Sequence, residues 1–220
     1  MKLATNNIKE MKIDFFRTIR GKDNIEYMKA MVSYFVSPII TGIKPASTLS
    51  LGNNKDIYKT WKVHGKSFLK QLKLESIILK DTGETSIILI YDRNLLERHL
   101  KIEKNRSFLC DLGYDSEVHI DRCLDCLRIK FSQVEFPNES GIFLGIPIEE
   151  VLGFINKDDC ILSGYFKVYE NSDRAEKVFK LYENSKRAVI SNFLRENKLD
   201  NIVEKINDIY INKLDTVVNC

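Results

Sequence analysis

The chain lacks a strong excess of either charge, and this absence excludes one class of function. Lys and Arg together number 34 and Asp and Glu 31, which gives a formal net charge of +3. A nucleic-acid-binding surface needs a larger and clustered basic excess, whereas basic and acidic residues are interleaved along this sequence. We therefore expect a mixed-charge surface and no nucleic-acid partner.

Long apolar runs and a disulfide framework are also missing. The longest uncharged stretch, residues 30–43, is shorter than the roughly 20 residues that a helix needs to cross a bilayer, and it contains Pro38. Lys2, Lys9 and Glu10 stand where a signal peptide would be apolar. The chain has 5 cysteines, an odd number in a protein large enough to fold without disulfides. We expect reduced thiols, no membrane span and a cytoplasmic location.

Motifs typical of common enzymes are absent as well. The sequence has neither a Walker loop nor the G-x-G-x-x-G fingerprint, which argues against an ordinary NTPase or Rossmann dehydrogenase. No nucleophile elbow or Ser-His-Asp arrangement is visible. The sequence does not identify a cofactor. These absences favour a non-enzymatic protein, although enzymatic activity stays open.

Apolar spacing predicts an α+β fold. Residues 1–23 are expected to form an amphipathic helical extension, because Ile8, Met11, Phe15 and Ile19 recur at helical spacing. Residues 24–220 are expected to form a single domain that ends in a helix over 199–217. This domain is predicted to contain a mixed or antiparallel sheet of about four to five strands packed with helices.

Several individual elements follow from local signals. Residues 74–80 and 85–91 predict a β-hairpin that is apolar on both faces and thus covered on both sides. Pro38 is expected to end the second helix near Phe35. Short strands are predicted around Phe143, between two glycines, and over 160–169, and a long helix is predicted to start at Ser172.

One candidate site consists of thiols and a histidine. Cys123 and Cys126 form a C-x-x-C, and His119, Cys123 and Cys126 fall on one side of a predicted helix. Soft metal ligands can be arranged in this way, with Cys110 as a fourth group. The alternative, which we favour, is that these cysteines are structural, because Asp121 and the helix interior both oppose thiolate formation.

A second candidate site consists of loop and aromatic residues. Asn138 and Glu139 follow Pro137 in a loop, and Lys44 lies in a Gly- and Pro-bounded segment. Tyr165 is one of the aromatic residues that would line a pocket, although such residues more often belong to the core. We predict that Lys44, Asn138, Glu139 and Tyr165 bind a small ligand or a protein partner.

The sequence resembles a family of anaerobic bacteria that has no assigned function, DUF3793. The resemblance covers about residues 25–190 and follows five segments in order. These are the Pro-containing segment 37–46, the Leu-Cys-Asp-Leu-Gly-Tyr segment 109–114, the segments 136–155 and 164–169, and the helix over 172–186. The resemblance implies membership of an uncharacterised family rather than a specific activity.

Two departures from the family pattern bear on function. Members often carry a cysteine where this chain has Val36, and a histidine where it has Asn138. A Cys–His pair would suit a nucleophile and base or two metal ligands, so the loss of both weakens an enzymatic interpretation. The frequent association of the family with flavodoxins and iron-uptake proteins implies an alternative, a thiol- or metal-dependent protein linked to redox or iron metabolism.

Overall fold

The structure is a computed structural model that describes residues 2–52 and 56–196. The helices in these ranges are α1 (Lys2–Arg20), α2 (Asn24–Ile40), α3 (Ile57–Gln71), α4 (Arg93–Leu100), α5 (Glu103–Asp111), α6 (Ile120–Gln133), α7 (Ser140–Phe143), α8 (Ile148–Asn156) and α9 (Ser172–Glu196). The strands are β1 (Ala46–Leu51), β2 (Glu75–Asp81), β3 (Ser86–Tyr91), β4 (Leu162–Ser163) and β5 (Lys167–Val168). The helix predicted over 199–217 lies outside the described residues, as does Cys220.

The strands form two separate antiparallel sheets. β1, β3 and β2 make a three-stranded sheet in that order, and β4 and β5 make a two-stranded hairpin. Leu89 at the centre of β3 pairs with Thr48 on one side and Ile77 on the other. The α+β prediction with antiparallel strands is confirmed, with the strands of the described chain divided between two sheets.

The three-stranded sheet separates two hydrophobic cores, because successive residues of a strand point to opposite faces. Ile88 and Ile90 of β3 lie in the first core, and Leu89 and Tyr91 lie in the second. The first core is completed by α1, α2, α3 and α9, and the second by α4, α5, α6, α7 and α8. The prediction that the hairpin is covered on both faces holds for β3, whereas Ile78 of β2 is 40% exposed.

The prediction that Pro38 ends the second helix is wrong, since α2 continues to Ile40. A proline inside a helix leaves the carbonyl four residues earlier without its usual donor. Here that carbonyl belongs to Tyr34, and the hydroxyl of Ser37 donates to it at 2.9 Å. The missing backbone bond is thus replaced locally, and the helix passes through the proline.

Two of the predicted strands are also wrong in form. Phe143 ends the four-residue helix α7 instead of lying in a strand. A short apolar run between glycines is compatible with both a buried strand and a buried helical turn, so the pattern does not distinguish them. Phe143 is fully buried, as both structures would require. The predicted strand over 160–169 is a hairpin of two-residue strands around Tyr165.

The predicted N-terminal helix is present as α1, and its apolar face packs on the rest of the chain. Phe15 and Ile19 are fully buried, and the Phe15 ring contacts those of Tyr34 on α2 and Phe193 on α9. The division into an extension over 1–23 and a domain over 24–220 stays a prediction. Across residues 2–52 and 56–196, no helix is long and apolar enough to span a membrane.

Candidate functional site

Lys44 is positioned by the end of α2. The carbonyl of Pro38 accepts the backbone N–H groups of both Ile43 and Lys44 at 3.0 Å. Gly42 makes the necessary turn with a φ of +71°, a left-handed conformation that glycine adopts without steric cost. The Pro-containing segment therefore turns the chain out of the helix and fixes the backbone of Lys44.

The next residue, Pro45, anchors this turn to the second core. Its carbonyl accepts the N–H of Asp92, and its ring lies against Gly145. A Cβ atom at Gly145 would lie 2.5 Å from Pro45 Cδ, so only glycine fits this close approach. Gly145 also has a φ of +75°. The approach of Gly145 to Pro45 thus restrains the backbone beside Lys44.

Tyr165 lies at the tip of the β4–β5 hairpin, which packs on α9. The absence of a side chain at Gly164 lets the ring of Phe179 lie directly against the hairpin backbone. The Tyr165 ring contacts the rings of Phe179 and Tyr182, with centroid distances of 5.6 and 5.2 Å. Tyr165 itself is 39% exposed, so the cluster reaches the solvent at this residue.

Helix α9 places Lys186 between the rings of Tyr165 and Tyr34. Its Nζ atom donates to the Tyr165 hydroxyl at 3.0 Å and lies 4.3 Å from the Tyr165 ring centroid and 5.2 Å from that of Tyr34. One turn earlier, the Tyr182 ring lies 5.7 Å from the Nζ atom of Lys44. The two lysines therefore lie on tyrosine rings that contact each other, Tyr182 and Tyr165, in positions that favour cation–π attraction.

The charges of the two lysines are poorly compensated. Burial, followed by the repulsion from Lys186, lowers the pKa of Lys44 to about 8. Burial also lowers the pKa of Lys186 to about 8, although Glu183 acts in the opposite direction. In the described part of the chain, no carboxylate lies within ion-pairing distance of the Lys44 ammonium. Lys44 is thus a half-buried cation whose described contact is an aromatic face.

The Glu183 carboxylate, which lies beside these lysines and tyrosines, already accepts two hydrogen bonds. Glu183 accepts from Lys12 of α1 at 2.7 Å and from the hydroxyl of Tyr165. Burial raises the pKa of Glu183, but these two hydrogen bonds and the attraction of the Lys12 and Lys186 charges together hold the pKa below its ordinary value. We use the name lysine–tyrosine cluster for Lys12, Tyr34, Lys44, Tyr165, Tyr182, Glu183 and Lys186. The cluster thus contains three ammonium groups and one carboxylate.

The remaining predicted ligand residues have a different environment. Glu139 is buried, accepts from the Tyr114 hydroxyl at 3.2 Å, and pairs with the Lys130 ammonium at 3.0 Å. Lys130 also donates to the carbonyl of Leu112. Asn138 is exposed beside this pair, on a groove that includes Val134 and Phe136. The structure thus groups Lys44 with Tyr165 around Tyr182, and Glu139 with groups of the second core.

In the described part of the chain, the predicted thiol and histidine residues do not form a metal-binding group. His119 interacts through Nδ1 with Asp115 at 2.9 Å, while Cys123 is buried in the second core. Burial raises the pKa of Cys123 to about 11 and also raises the pKa of Cys126. Within 2–52 and 56–196, no three His, Cys, Asp or Glu side chains are placed to hold a metal ion. The geometry around Cys110, Cys123 and Cys126 favours structural thiols over reactive ones.

The two positions that depart from the family pattern also differ in environment. Val36 is fully buried among apolar residues of the first core, and Asn138 is exposed. Sequence reasoning missed Lys186, Tyr182 and Glu183 as site residues. A signal was present, because Lys186 interrupts the apolar stripe of α9 between Tyr182 and Val189. A charged residue on the buried stripe of a helix needs a partner or a ligand.

Comparison with known proteins identifies a family. The family model described as Protein of unknown function (DUF3793) matches residues 32–203, a range that includes Lys44, Tyr165, Tyr182 and Lys186 but excludes Lys12. No curated protein and no solved structure matches this chain. A match over more than half of the sequence shows the family, and all five segments that carried the resemblance lie within it. The chain therefore belongs to the DUF3793 family.

Proposed function

We propose that this protein binds a small anionic ligand at the lysine–tyrosine cluster. The observation that carries the proposal is that Lys44 and Lys186, both half-buried, lie on two tyrosine rings that contact each other, Tyr182 and Tyr165, without matching carboxylates. A buried charge without a partner costs free energy. A bound anion would supply the missing partner and would form charge-assisted hydrogen bonds with both ammonium groups.

The surroundings suggest what kind of anion fits. A tyrosine hydroxyl is neutral near pH 7 at its ordinary pKa, and burial raises the pKa of Tyr34 and of Tyr182 further, to about 12. The partly exposed ring of Tyr165 offers an apolar face, so a small organic carboxylate or phosphate would have both a charge and a surface to contact. The exposed edge of Tyr165 gives such a ligand a path from the solvent.

This proposal extends to the location of the protein and to the predicted alternative. The described cysteines are free thiols, which supports a reducing, cytoplasmic compartment. A thiol- or metal-dependent role receives no comparable support, since the pKa of Cys123 is raised rather than lowered. Asn138 and Glu139 stay predicted ligand residues, and the internal pairing of Glu139 favours a structural role for that carboxylate.

The test is the stabilisation of the folded protein by inorganic phosphate and, in parallel, by pyruvate. A ligand at roughly ten times its dissociation constant stabilises the native state by about 1.4 kcal/mol. For a domain of this size the midpoint temperature of unfolding should rise by about 3–5 °C. Potassium chloride at matched ionic strength separates specific binding from salt effects.

Variants locate the bound anion. Lys44→Met and Lys186→Met should each remove most of the shift, because each removes one of the two ammonium groups. Lys180→Met is the matched control, since Lys180 lies on the same helix but is exposed. Equal shifts in Lys44→Met, Lys186→Met and Lys180→Met, or no shift in the wild-type protein with either anion, would contradict the proposal.

A further inference from the structure

Lys44 and Lys186 differ in the partners of their Nζ atoms. Lys186 Nζ donates to the Tyr165 hydroxyl, and Glu183 lies close enough to attract it. Lys44 Nζ faces the ring of Tyr182 at 5.7 Å and donates to no oxygen of the described chain. The Lys186 ammonium is thus fixed by a hydrogen bond, whereas the Lys44 nitrogen makes no hydrogen bond in the described chain and could react with a ligand.

We propose that Lys44 forms an imine with the carbonyl carbon of a small oxo acid or aldehyde whose anionic group is bound by Lys186. This inference rests on the proposed anion site and names the class of ligand for it. An amine in partly desolvated surroundings beside another cation is the arrangement that activates lysine toward carbonyl compounds. The position of Lys186 next to Lys44 provides that second cation.

The step requires no oxidant or reductant. The lone pair of Lys44 Nζ attacks the carbonyl carbon, a C–N bond forms, and one N–H proton moves to the carbonyl oxygen. The resulting carbinolamine then loses its hydroxyl group together with the second N–H proton as water. One amine and one carbonyl thus give one imine and one water molecule.

The lowered basicity of Lys44 supports this geometry, because only a neutral amine attacks. With a pKa of about 8, a substantial fraction of Lys44 is neutral near pH 7.5, whereas an exposed lysine is almost entirely charged. Tyr182 and Tyr165 exclude water from one side of the amine, since Tyr182 is buried and the rings are in contact. An anionic carbonyl compound is attracted to the site while it is still in solution.

The experiment uses pyruvate as the probe and sodium cyanoborohydride to reduce any imine to a stable secondary amine. Peptide mapping gives the labelled fraction of each lysine; it is needed because the α-amino group of a chain also forms imines. We expect Lys44 to be labelled roughly ten-fold or more faster than the exposed Lys180, with a rate that rises through about pH 8. Equal labelling of Lys44 and Lys180 in the wild-type protein would overturn the inference without any variant.

Two variants sharpen the assignment. Lys44→Arg should abolish the adduct on that tryptic segment, because a guanidinium does not form an imine under these conditions. Lys186→Met should slow labelling of Lys44 by pyruvate several-fold but not by acetaldehyde, which has no anionic group. If acetaldehyde labelling falls by the same factor, Lys186 does not bind the anionic group and this part of the inference is wrong.

The result is separable from the test of anion binding. A phosphate- or pyruvate-dependent rise in the unfolding temperature without enrichment of label at Lys44 would leave the anion site standing and reject imine formation. Enrichment at Lys44 that phosphate does not suppress would reject the shared site. Enrichment that phosphate suppresses at constant ionic strength supports both statements.

Discussion

The two cores on either side of the sheet both have charged groups beside them, but only those of the second core have a matching counter-charge. On the side of the second core, the Glu139 carboxylate is matched by the Lys130 ammonium and the Tyr114 hydroxyl. On the side of the first core, Lys44 and Lys186 outnumber the carboxylate of Glu183, which Lys12 already neutralises. Matched charges hold a structure together, whereas unmatched charges cost stability until a ligand arrives.

The largest expected effect on stability comes from removing the ion pair of Glu139 and Lys130 beside the second core. Glu139→Gln should lower the free energy of unfolding by about 3 kcal/mol, because it leaves the ammonium of Lys130 without its counter-charge. Urea unfolding measures this change, and Glu135→Gln, at an exposed position of the same loop, is the control. A loss below about 0.5 kcal/mol, the size of an ordinary surface substitution, would mean that the pair is not structural.

A second effect concerns the glycine that connects the two sides. Gly145→Ala should cost about 2 kcal/mol or more, since it adds a contact of 2.5 Å with Pro45 to the cost of a left-handed alanine. Gly113→Ala is the matched control, because Gly113 has a φ of +84° but open space around its Cα. That control should cost only about 1 kcal/mol.

The same pair of glycine variants reports on the site. Displacement of Pro45 moves Lys44, so Gly145→Ala should also weaken the stabilisation by phosphate, and Gly113→Ala should not. Thermal unfolding with and without phosphate measures both. An unchanged phosphate response in Gly145→Ala would show that the turn does not position Lys44.

A third, opposite effect is expected on the unmatched side. Lys44→Met should stabilise the ligand-free protein by about 1 kcal/mol near pH 7, because it replaces a poorly compensated cation with an apolar side chain. Lys130→Met, on the matched side, should destabilise the protein by about 2 kcal/mol or more. The same sign of effect for both lysines would remove the distinction between the two sides.

The smallest effect is a pH dependence. The pKa of Lys44 is about 8 in the folded chain against an ordinary 10.5, so the unfolded chain binds more protons between these values. Stability attributable to Lys44 should therefore rise as the pH increases from about 8 to 10.5, which shrinks the gap between wild type and Lys44→Met. The groups that act on Lys44 are Lys186, whose charge repels its ammonium, and Tyr182, whose ring its Nζ atom faces.

The difference between the two proteins isolates the lysine. Burial raises the pKa of the Tyr34 hydroxyl to about 12, so it contributes stability that is lost above about pH 10 in both proteins. Chemical unfolding of wild type and Lys44→Met at several pH values gives the gap directly. A gap that stays constant between pH 7 and 10 would show that Lys44 does not titrate in this range.

Local signals predicted those elements whose cause is local. The hairpin of β2 and β3 follows from Ile-rich segments around a Gly-containing turn, and Asp92 caps α4 by accepting the N–H of Leu95, as its position before a helix suggests. Pro38 was misjudged because its effect is cancelled by the hydroxyl of Ser37, a compensation that spacing alone does not reveal.

The candidate site was only half visible for a different reason. Lys44 and Tyr165 were predicted as ligand residues, but the groups that surround them come from α1, α2 and α9, and α9 is more than 120 residues away from Lys44. For example, the hydroxyls of Thr41 and Ser185 meet at 3.0 Å although 144 positions separate them. Such contacts depend on how helices pack, which the sequence pattern does not specify.

The contact between α1 and Glu183 has a consequence for ligand selection. Lys12 precedes the segment that the family model matches, and its ammonium occupies one oxygen of the Glu183 carboxylate. Without that ammonium, the carboxylate would be free to neutralise Lys186, and the site would be suited to a singly charged guest. With the Lys12 ammonium in place, the two positive charges of Lys44 and Lys186 lack a counter-charge. Helix α1, which precedes the matched segment, therefore determines the net charge of the ligand that the site prefers.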